Sequence, residues 1–280
     1  MTCPGQTSLK PQVSSPRSQA SGRGAASIVA MAAKTRLDQL LVDLGLAPSR
    51  ARAQSLILAG VVTVDGKRAD KAGRAVGPDA AVEVVAADHP WVSRGGVKLA
   101  AALEAFGLDI AGRRCLDVGA STGGFTDVLL QRGAATVLAL DVGRGQLDWR
   151  LRNDPRVEVL EGVNARHLAA GDLPGTFGIV TVDVSFISLR LVLPALLPFL
   201  DPGGDLVCLV KPQFEAGREE VGRGGVVRDA AAREAAIAAV LAEAGRLGLA
   251  CRGRIPSPIA GPAGNVEELA WFRRSEPTVA

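Results

Sequence analysis

Four charged residues lie where a predicted α/β fold would bring side chains together. Lys98 is one turn into a predicted helix, Asp183 ends a predicted strand, Lys211 follows another, and Glu267 begins the last one. In a doubly wound sheet the carboxyl ends of the parallel strands meet at one crevice. An amine held beside carboxylates there could serve as a general base if its pKa were lowered, which a second nearby cation favours. The alternative is that these charges only solubilise the strand ends.

A glycine-rich turn is the clearest local signal for a bound ligand. The segment Cys115–Asp127 is typical of a strand, a tight turn and a helix, and its glycines allow a ligand to approach the backbone closely. It lacks both the G-x-G-x-x-G and the G-K-[ST] patterns that cradle a pyrophosphate or phosphate. An acid in this strand, together with one ending the next, is typical of proteins that bind S-adenosylmethionine. An ordinary strand–helix turn is the alternative. The candidate cofactor residues are Asp117, Gly119, Ser121, Gly123, Gly124, Phe125, Asp141 and Asn164.

These candidates have different expected roles. Asp117 is expected at the end of its strand, facing the crevice, where a carboxylate suits a ligand amine. Asp141 would accept hydrogen bonds from a ribose diol, and Asn164 would read an adenine edge or only cap a helix. Further strands are predicted at 136–141, 157–161, 179–184, 205–210, 251–255 and near 268–272, mostly with helical segments between them. A helix is predicted to begin at Val97, and a long one to run from Val226 to Gly248. The sequence therefore predicts an α/β protein with a Rossmann-like doubly wound sheet.

A smaller basic region precedes this sheet. Two amphipathic helices are predicted from Leu37 to Leu44 and after Ser49, followed by a hairpin at Asp65–Gly66. Between Lys34 and Arg74, eight basic residues oppose four acidic ones, whereas the whole chain carries a net charge of only +3. The pattern closely resembles the S4 RNA-binding domain, a small α+β fold. That resemblance implies that Arg36, Arg50, Arg52 and Lys67 contact RNA phosphates, which position RNA without reading its sequence.

The remaining segments complete the predicted organisation of the 280-residue chain. Residues 1–33 are predicted to be a disordered extension, with Met31 as the expected start and a transit peptide as the alternative. The S4-type domain is predicted at 34–88, a linker at 89–96 and the sheet domain at 97–280. Four scattered cysteines favour a reducing, cytoplasmic location without a metal site, and no apolar stretch predicts a membrane-spanning helix.

The sheet domain also resembles a known enzyme family. Lys98, Asp183, Lys211 and Glu267 match, in chain order, the Lys-Asp-Lys-Glu tetrad of FtsJ/RrmJ-like ribose 2′-O-methyltransferases. With the S4-type domain and the segments 93–96, 117–126, 183–189, 210–215 and 257–265, the chain is similar to the TlyA (haemolysin A) family throughout 34–280. The linker, His89-Pro-Trp-Val92, differs from the Arg-Ala-Trp-Val type of some relatives.

The resemblance implies a reaction and its participants. We expect S-adenosylmethionine-dependent 2′-O-methylation of cytidines in ribosomal RNA, free or in ribosomal subunits, with Lys211 as the general base and no metal or membrane partner. Two other classes remain open: a non-catalytic RNA-binding or ribosome-assembly factor with the same fold, and a membrane-lytic haemolysin. The first would keep the fold without the reaction, and the second would need a membrane-active segment, which the sequence does not display.

Overall fold

The computed structural model describes residues 34–85, 89–261 and 264–276, and all of them belong to one compact unit. The predictions for residues 1–33, including the start at Met31, lie outside this range.

A seven-stranded sheet forms the centre of the larger domain. Its order is β11-β12-β10-β9-β6-β7-β8; strands β6 to β10 run parallel, and β12 is antiparallel to both of its neighbours. The strand order reverses between β6 and β9, and such a switch point opens a ligand crevice at the carboxyl edge of the sheet. The strands are β6 (Arg114–Val118), β7 (Thr136–Asp141), β8 (Val157–Glu161), β9 (Phe177–Val182), β10 (Leu200–Val210), β11 (Leu249–Pro256) and β12 (Glu268–Arg274).

Helices cover both faces of this sheet, which confirms the doubly wound α/β prediction. One face packs against the apolar side chains of α3 and α4, and the other against those of α6 and α8. Central strands are therefore buried on both sides, which explains their nearly continuous apolar sequences. The helices of this domain are α3 (Gly95–Phe106), α4 (Gly124–Gln131), α5 (Trp149–Arg152), α6 (Leu189–Leu196), α7 (Pro212–Glu215) and α8 (Ala230–Arg246).

The N-terminal domain has the predicted two helices and hairpin. Ser49 caps the second helix by accepting a hydrogen bond from the Arg52 amide, and Gly60 ends it in the left-handed region. Asp65 and Gly66, both with positive φ, form the two-residue turn between β2 and β3. The elements are β1 (Thr35–Arg36), α1 (Leu37–Asp43), α2 (Arg50–Ala59), β2 (Val62–Val64), β3 (Lys67–Arg68), β4 (Ala75–Val76) and β5 (Val82–Val84).

Two boundaries differ from the sequence prediction. Helix α3 begins at Gly95 rather than Val97, because the paired glycines fit closely beside Trp91 and α4: a Cβ on Gly96 would lie 2.4 Å from Trp91 Cβ. The long helix predicted from Val226 to Gly248 begins at Ala230, where the Asp229 carboxylate caps the Ala231 and Ala232 amides. Neither shift moves a candidate site residue.

Candidate active site

The four charged residues of the tetrad come together as two ion pairs. Lys98 Nζ lies 2.5 Å from Glu267 Oε2, although 169 positions separate them in the chain. Lys211 Nζ lies 2.6 Å from Asp183 Oδ1 and donates a hydrogen bond to Ser185 Oγ at 2.9 Å. Both lysines and Glu267 are buried. The sequence predicted that these residues would converge, but not which lysine would pair with which carboxylate.

The two lysines also set the charge of Asp183. Burial by itself would raise the pKa of this carboxyl, but Lys211, and then Lys98, stabilise the carboxylate and hold its pKa below the ordinary value. Asp183 is therefore ionised at neutral pH, and its negative charge lies between two cations. This arrangement can hold the Lys211 amine at a fixed position at the edge of the crevice.

The glycine turn lies directly beside Asp183. Gly119 has a φ of +84°, and a Cβ at this position would lie 2.4 Å from the Asp183 carbonyl oxygen. A Cβ on Gly124, at the first position of α4, would lie 2.3 Å from Ser93 Oγ. The turn can therefore pack this closely only because these positions carry no side chain. Gly119, Ser121, Gly124 and Phe125 line a cavity of about 180 Å³ together with the two lysines.

The structure places Asp117 and Gly123 away from the crevice, unlike the sequence prediction. Asp117 is fully buried in β6, where it accepts hydrogen bonds from Thr126 Oγ1 at 2.6 Å and Thr181 Oγ1 at 3.1 Å. Burial raises the pKa of Asp117 to about 7. Gly123 faces Leu151 instead, because a Cβ there would lie 2.2 Å from Leu151 Cδ1. These two residues pack against the rest of the protein next to the turn and line neither cavity of the site.

Asp141 and Asn164 line a second, wider cavity of about 900 Å³. The Asp141 carboxylate is oriented by the Ser121 amide at 2.8 Å and the Gly143 amide at 2.6 Å. Asn164 Oδ1 accepts a hydrogen bond from the Arg166 amide at 3.1 Å, so the capping role of Asn164 is present. Because the side chain also lines the cavity, capping does not remove Asn164 from a ligand site.

The two cavities share Leu58, Gly119, Ser121 and Asp183 in their linings. Leu58 belongs to α2 of the N-terminal domain and is nearly half exposed. The sequence predicts only that Leu58 lies in a helix, because its position over the crevice depends on how the two domains pack. The N-terminal domain therefore forms part of the wall of the site.

Phe186 is a second residue without a predicted role. Its side chain is 91% exposed, its φ is +64°, and its ring lies 5.2 Å from the ring of Phe214. A large apolar residue in the left-handed region is strained, and such strain is concentrated at functional sites. The available sequence signal was a phenylalanine only three residues after the charged end of a core strand.

The predicted RNA-contacting residues do not share one environment. Arg36 and Arg50 both pair with the buried carboxylate of Asp38, at 2.9 and 3.1 Å. Hydrogen bonding to Arg36 is the largest influence on Asp38 and holds the pKa of this carboxyl well below its usual range. Arg52 instead lies 3.5 Å from Asp148 of the larger domain, and Lys67 is exposed in the hairpin. Arg52 therefore also contributes to the contact between domains.

Within 34–85, 89–261 and 264–276, no helix has the length and apolar character needed to cross a membrane. Within the same ranges, no cluster of three or more His, Cys, Asp or Glu side chains could hold a metal ion.

Comparison with known proteins agrees with this two-part architecture. Residues 91–274 match the family model for FtsJ-like methyltransferases, and residues 35–82 match the S4 domain. The chain is 53% identical over 244 residues to the 16S/23S rRNA (cytidine-2′-O)-methyltransferase TlyA of Mycobacterium tuberculosis, covering 87% of this chain and 91% of that protein. It is 46% identical over 237 residues to the "Putative rRNA methyltransferase YqxC" of Bacillus subtilis, covering 84% of each.

A solved structure is also similar over most of the chain. The "Putative hemolysin from Streptococcus thermophilus" has a TM-score of 0.69 and 43% identity, covering 89% of this chain and 91% of that one.

Proposed function

Because the chain belongs to the TlyA family of FtsJ-like methyltransferases, which carry an S4 domain, we propose that it methylates ribosomal RNA. The reaction is transfer of a methyl group from S-adenosylmethionine to the ribose 2′-hydroxyl of a cytidine. The observation that carries this proposal is the pair of buried lysine–carboxylate contacts beside the glycine turn. The enzyme would act in the cytoplasm, on free ribosomal RNA or on ribosomal subunits.

Lys211 is the proposed general base. A ribose hydroxyl is a weak nucleophile at neutral pH and must lose its proton as its oxygen forms the new bond to the methyl carbon. When bound, S-adenosylmethionine supplies a methyl group on a sulfonium, whose carbon–sulfur bond breaks to leave a neutral thioether. Lys211 first gives up its own proton to solvent; the neutral amine then accepts the hydroxyl proton and becomes an ammonium, while Asp183 and Ser185 hold it in place.

Lys98 and Glu267 form the second ion pair of the site and help to fix the segment that carries Lys211. Glu267 accepts hydrogen bonds from Lys98 Nζ at 2.5 Å and from Gln213 Nε2 at 3.3 Å, and Gln213 lies two residues after Lys211. Lys98 also adds a second positive charge near Asp183, which stabilises the carboxylate that holds Lys211. The pair thus connects α3, the segment after β10 and the start of β12.

The two cavities fit the two parts of the proposed cofactor. The wider cavity combines apolar walls such as Leu140 and Val163 with the oriented carboxylate of Asp141, which suits an adenosine with its ribose diol. Asn164 would contact the adenine edge. The turn residues Gly119, Ser121, Gly124 and Phe125 would hold the methionine portion in the narrower cavity, close to Lys211. Asp117 and Gly123 would support this turn without contacting the cofactor.

The N-terminal domain would hold the RNA. Arg36, Arg50, Arg52 and Lys67 are proposed to contact phosphates, since their side chains are exposed and two of the arginines are fixed by Asp38. The proposed boundaries are 34–88 for this domain, 89–96 for the linker and 97–280 for the methyltransferase domain. Phosphate contacts alone would not select a nucleotide, so the selection of the target would depend on the crevice.

Methyl transfer to separated ribosomal subunits tests this function. The wild type, Lys211→Ala and the surface control Arg246→Ala would be incubated with methyl-labelled S-adenosylmethionine and unmodified subunits. We expect label in RNA with the wild type and the control, and at least a hundredfold less with Lys211→Ala, which should keep cofactor affinity within a few-fold. RNA binding without transfer by the wild type would favour the non-catalytic assembly factor. Equal loss of transfer and cofactor affinity in Lys211→Ala would remove Lys211 from the role of base.

A further inference from the structure

Asp148 contacts one arginine from each domain. Its carboxylate lies 3.5 Å from Arg52 Nη1 of the N-terminal domain and accepts a hydrogen bond from Arg150 Nε of the larger domain at 3.1 Å. It also caps α5 by accepting a hydrogen bond from the Arg150 amide at 3.0 Å. Nearby, Ser55 Oγ lies 3.4 Å from the carbonyl oxygen of Gln146. Asp148 is buried, so its charge is directed towards these two arginines.

The same arrangement occurs a short distance away, within the N-terminal domain. There the buried Asp38 holds Arg36 and Arg50. Arg50 and Arg52 both belong to the first turn of α2, so the two carboxylates organise four arginines around one helix end. The side chains remain substantially exposed: 54% for Arg36, 53% for Arg50, 40% for Arg52 and 60% for Arg150.

A guanidinium that is held on one side and exposed on the other is suited to bind a phosphate. The buried carboxylate fixes the side chain, so less rotamer freedom is lost when a second anion binds. The planar group still presents N–H donors to solvent, and these match phosphate oxygens in geometry. Arg150 satisfies both conditions, although it lies outside the S4 domain.

Trp149 precedes Arg150 in the sequence and offers an aromatic side chain to solvent. It is the first residue of α5, and it is 65% exposed rather than packed in the core. Exposed aromatic rings beside basic groups are a common means of stacking unpaired bases. The combination of a held arginine and an exposed indole is therefore better suited to RNA than to a purely anionic ligand.

We propose that the RNA-binding surface continues from the S4 domain onto the methyltransferase domain at Trp149 and Arg150, with Asp148 as the residue that aligns the two parts. This inference rests on the proposed function, since it takes RNA as the ligand. Arg150 contacts a phosphate, Trp149 stacks on a neighbouring base, and Asp148 keeps Arg52 and Arg150 at a fixed separation. The RNA thereby bridges both domains beside the crevice wall that Leu58 forms.

A contact that only holds the domains together would behave differently. In that case Arg52 and Asp148 would matter for domain packing, whereas Arg150, which lies on the same domain as Asp148, would make no contribution to RNA affinity. Removing the negative charge of Asp148 would also strengthen RNA binding through the higher net charge of the protein. The two accounts therefore predict opposite results for Asp148→Asn.

The test is RNA binding by the full chain as a function of salt concentration. The probes are in vitro transcripts of small- and large-subunit ribosomal RNA, and the variants are Arg150→Gln, Arg150→Lys, Trp149→Ala and Asp148→Asn. Arg246→Gln is the matched control, because it removes one charge from a side chain that is also exposed and paired with a nearby carboxylate. Thermal unfolding of each variant shows whether the fold is retained.

We expect Arg150→Gln to weaken binding about fivefold at 0.1 M salt and to reduce the slope of log affinity against log salt by about 1. Arg150→Lys should have the wild-type slope but a lower affinity than the wild type. Asp148→Asn should weaken binding although it makes the net charge of the protein more positive. Trp149→Ala should weaken binding without changing the slope.

If Arg150→Gln and Arg246→Gln have the same affinity and slope, the proposal is wrong. This holds even if the wild type transfers methyl groups to RNA and the proposed function is correct. If the wild type binds the transcripts without methylating them, the enzyme assignment fails and the slopes still decide this proposal.

Discussion

The ion pair between Lys98 and Glu267 gives a quantitative test of the site. Both side chains are buried, and their charged atoms lie 2.5 Å apart. Lys98→Met leaves the Glu267 carboxylate in the interior without its cation, and Glu267→Gln leaves the ammonium without its anion. Breaking a buried pair from one side costs about 3 to 5 kcal/mol, because an uncompensated charge remains.

This cost predicts a clear pattern in a double-mutant cycle. For a domain of this size, 3 to 5 kcal/mol corresponds to a fall in melting temperature of roughly 6 to 20 °C for each single variant. The double variant Lys98→Met/Glu267→Gln contains no buried charge at this position, so it should be less destabilised than the two single effects added together. We expect the difference to be at least about 1.5 kcal/mol, as found for residues in direct contact.

Denaturant unfolding of the wild type, the two single variants and the double variant measures this coupling. The rate of methyl transfer by the same four proteins measures the effect of the pair on activity. All three variants should lose at least about a hundredfold in transfer rate, including the more stable double variant, because a positioned lysine is absent or unheld in each. Coupling below about 0.5 kcal/mol would show that the pair is not formed in the folded protein. A transfer rate of the double variant equal to that of the wild type would show that the Lys98–Glu267 pair is not part of the active site.

Three further predictions concern residues around the crevice. Burial raises the pKa of Asp117 from 3.8 to about 7, so its stabilising contribution is present at low pH and is lost as pH rises through 7; the wild type should lose about 2 to 3 kcal/mol more than Asp117→Asn between pH 5 and pH 8.5 in denaturant unfolding. Phe186→Ala should reduce methyl transfer about tenfold with an unchanged melting temperature, because the ring is exposed and available for a base to stack on. A fall in melting temperature together with the loss of transfer would instead show a structural role. Leu58→Ala should raise the KM for S-adenosylmethionine about threefold to fivefold and leave RNA affinity unchanged, whereas Leu44→Ala, an exposed leucine elsewhere in the same domain, should change neither.

The sequence is most informative about the site where the position of a residue follows directly from strand topology. Asp183 and Lys211 follow adjacent parallel strands, so their proximity is a consequence of the doubly wound fold. The turns and caps at Ser49, Gly60 and Asp65 were likewise predictable, because each requires a particular residue type. Both kinds of prediction depend on local geometry and a standard connection rule.

The errors and omissions have a different origin. Asp117 was expected to face a ligand, but its orientation depends on two threonines, one of them on a strand 64 positions away. Leu58 and Arg52 gained their positions from the packing of one domain on the other, for which the sequence carries no periodic signal. Phe186 lies in the loop between β9 and α6, and the sequence carries no signal for its positive φ. Side-chain direction and domain contact thus required the structure.

The most direct test of the central claim is the chemical identity of the methylated product. Ribosomal RNA labelled by the wild type would be digested completely to nucleosides, and the labelled nucleoside would be identified by chromatography and mass spectrometry, with Lys211→Ala as the control. The proposed function predicts 2′-O-methylcytidine as the labelled product and no such product with Lys211→Ala. Label on a base, or equal labelling by the variant, would contradict Lys211 as the base that activates a ribose hydroxyl.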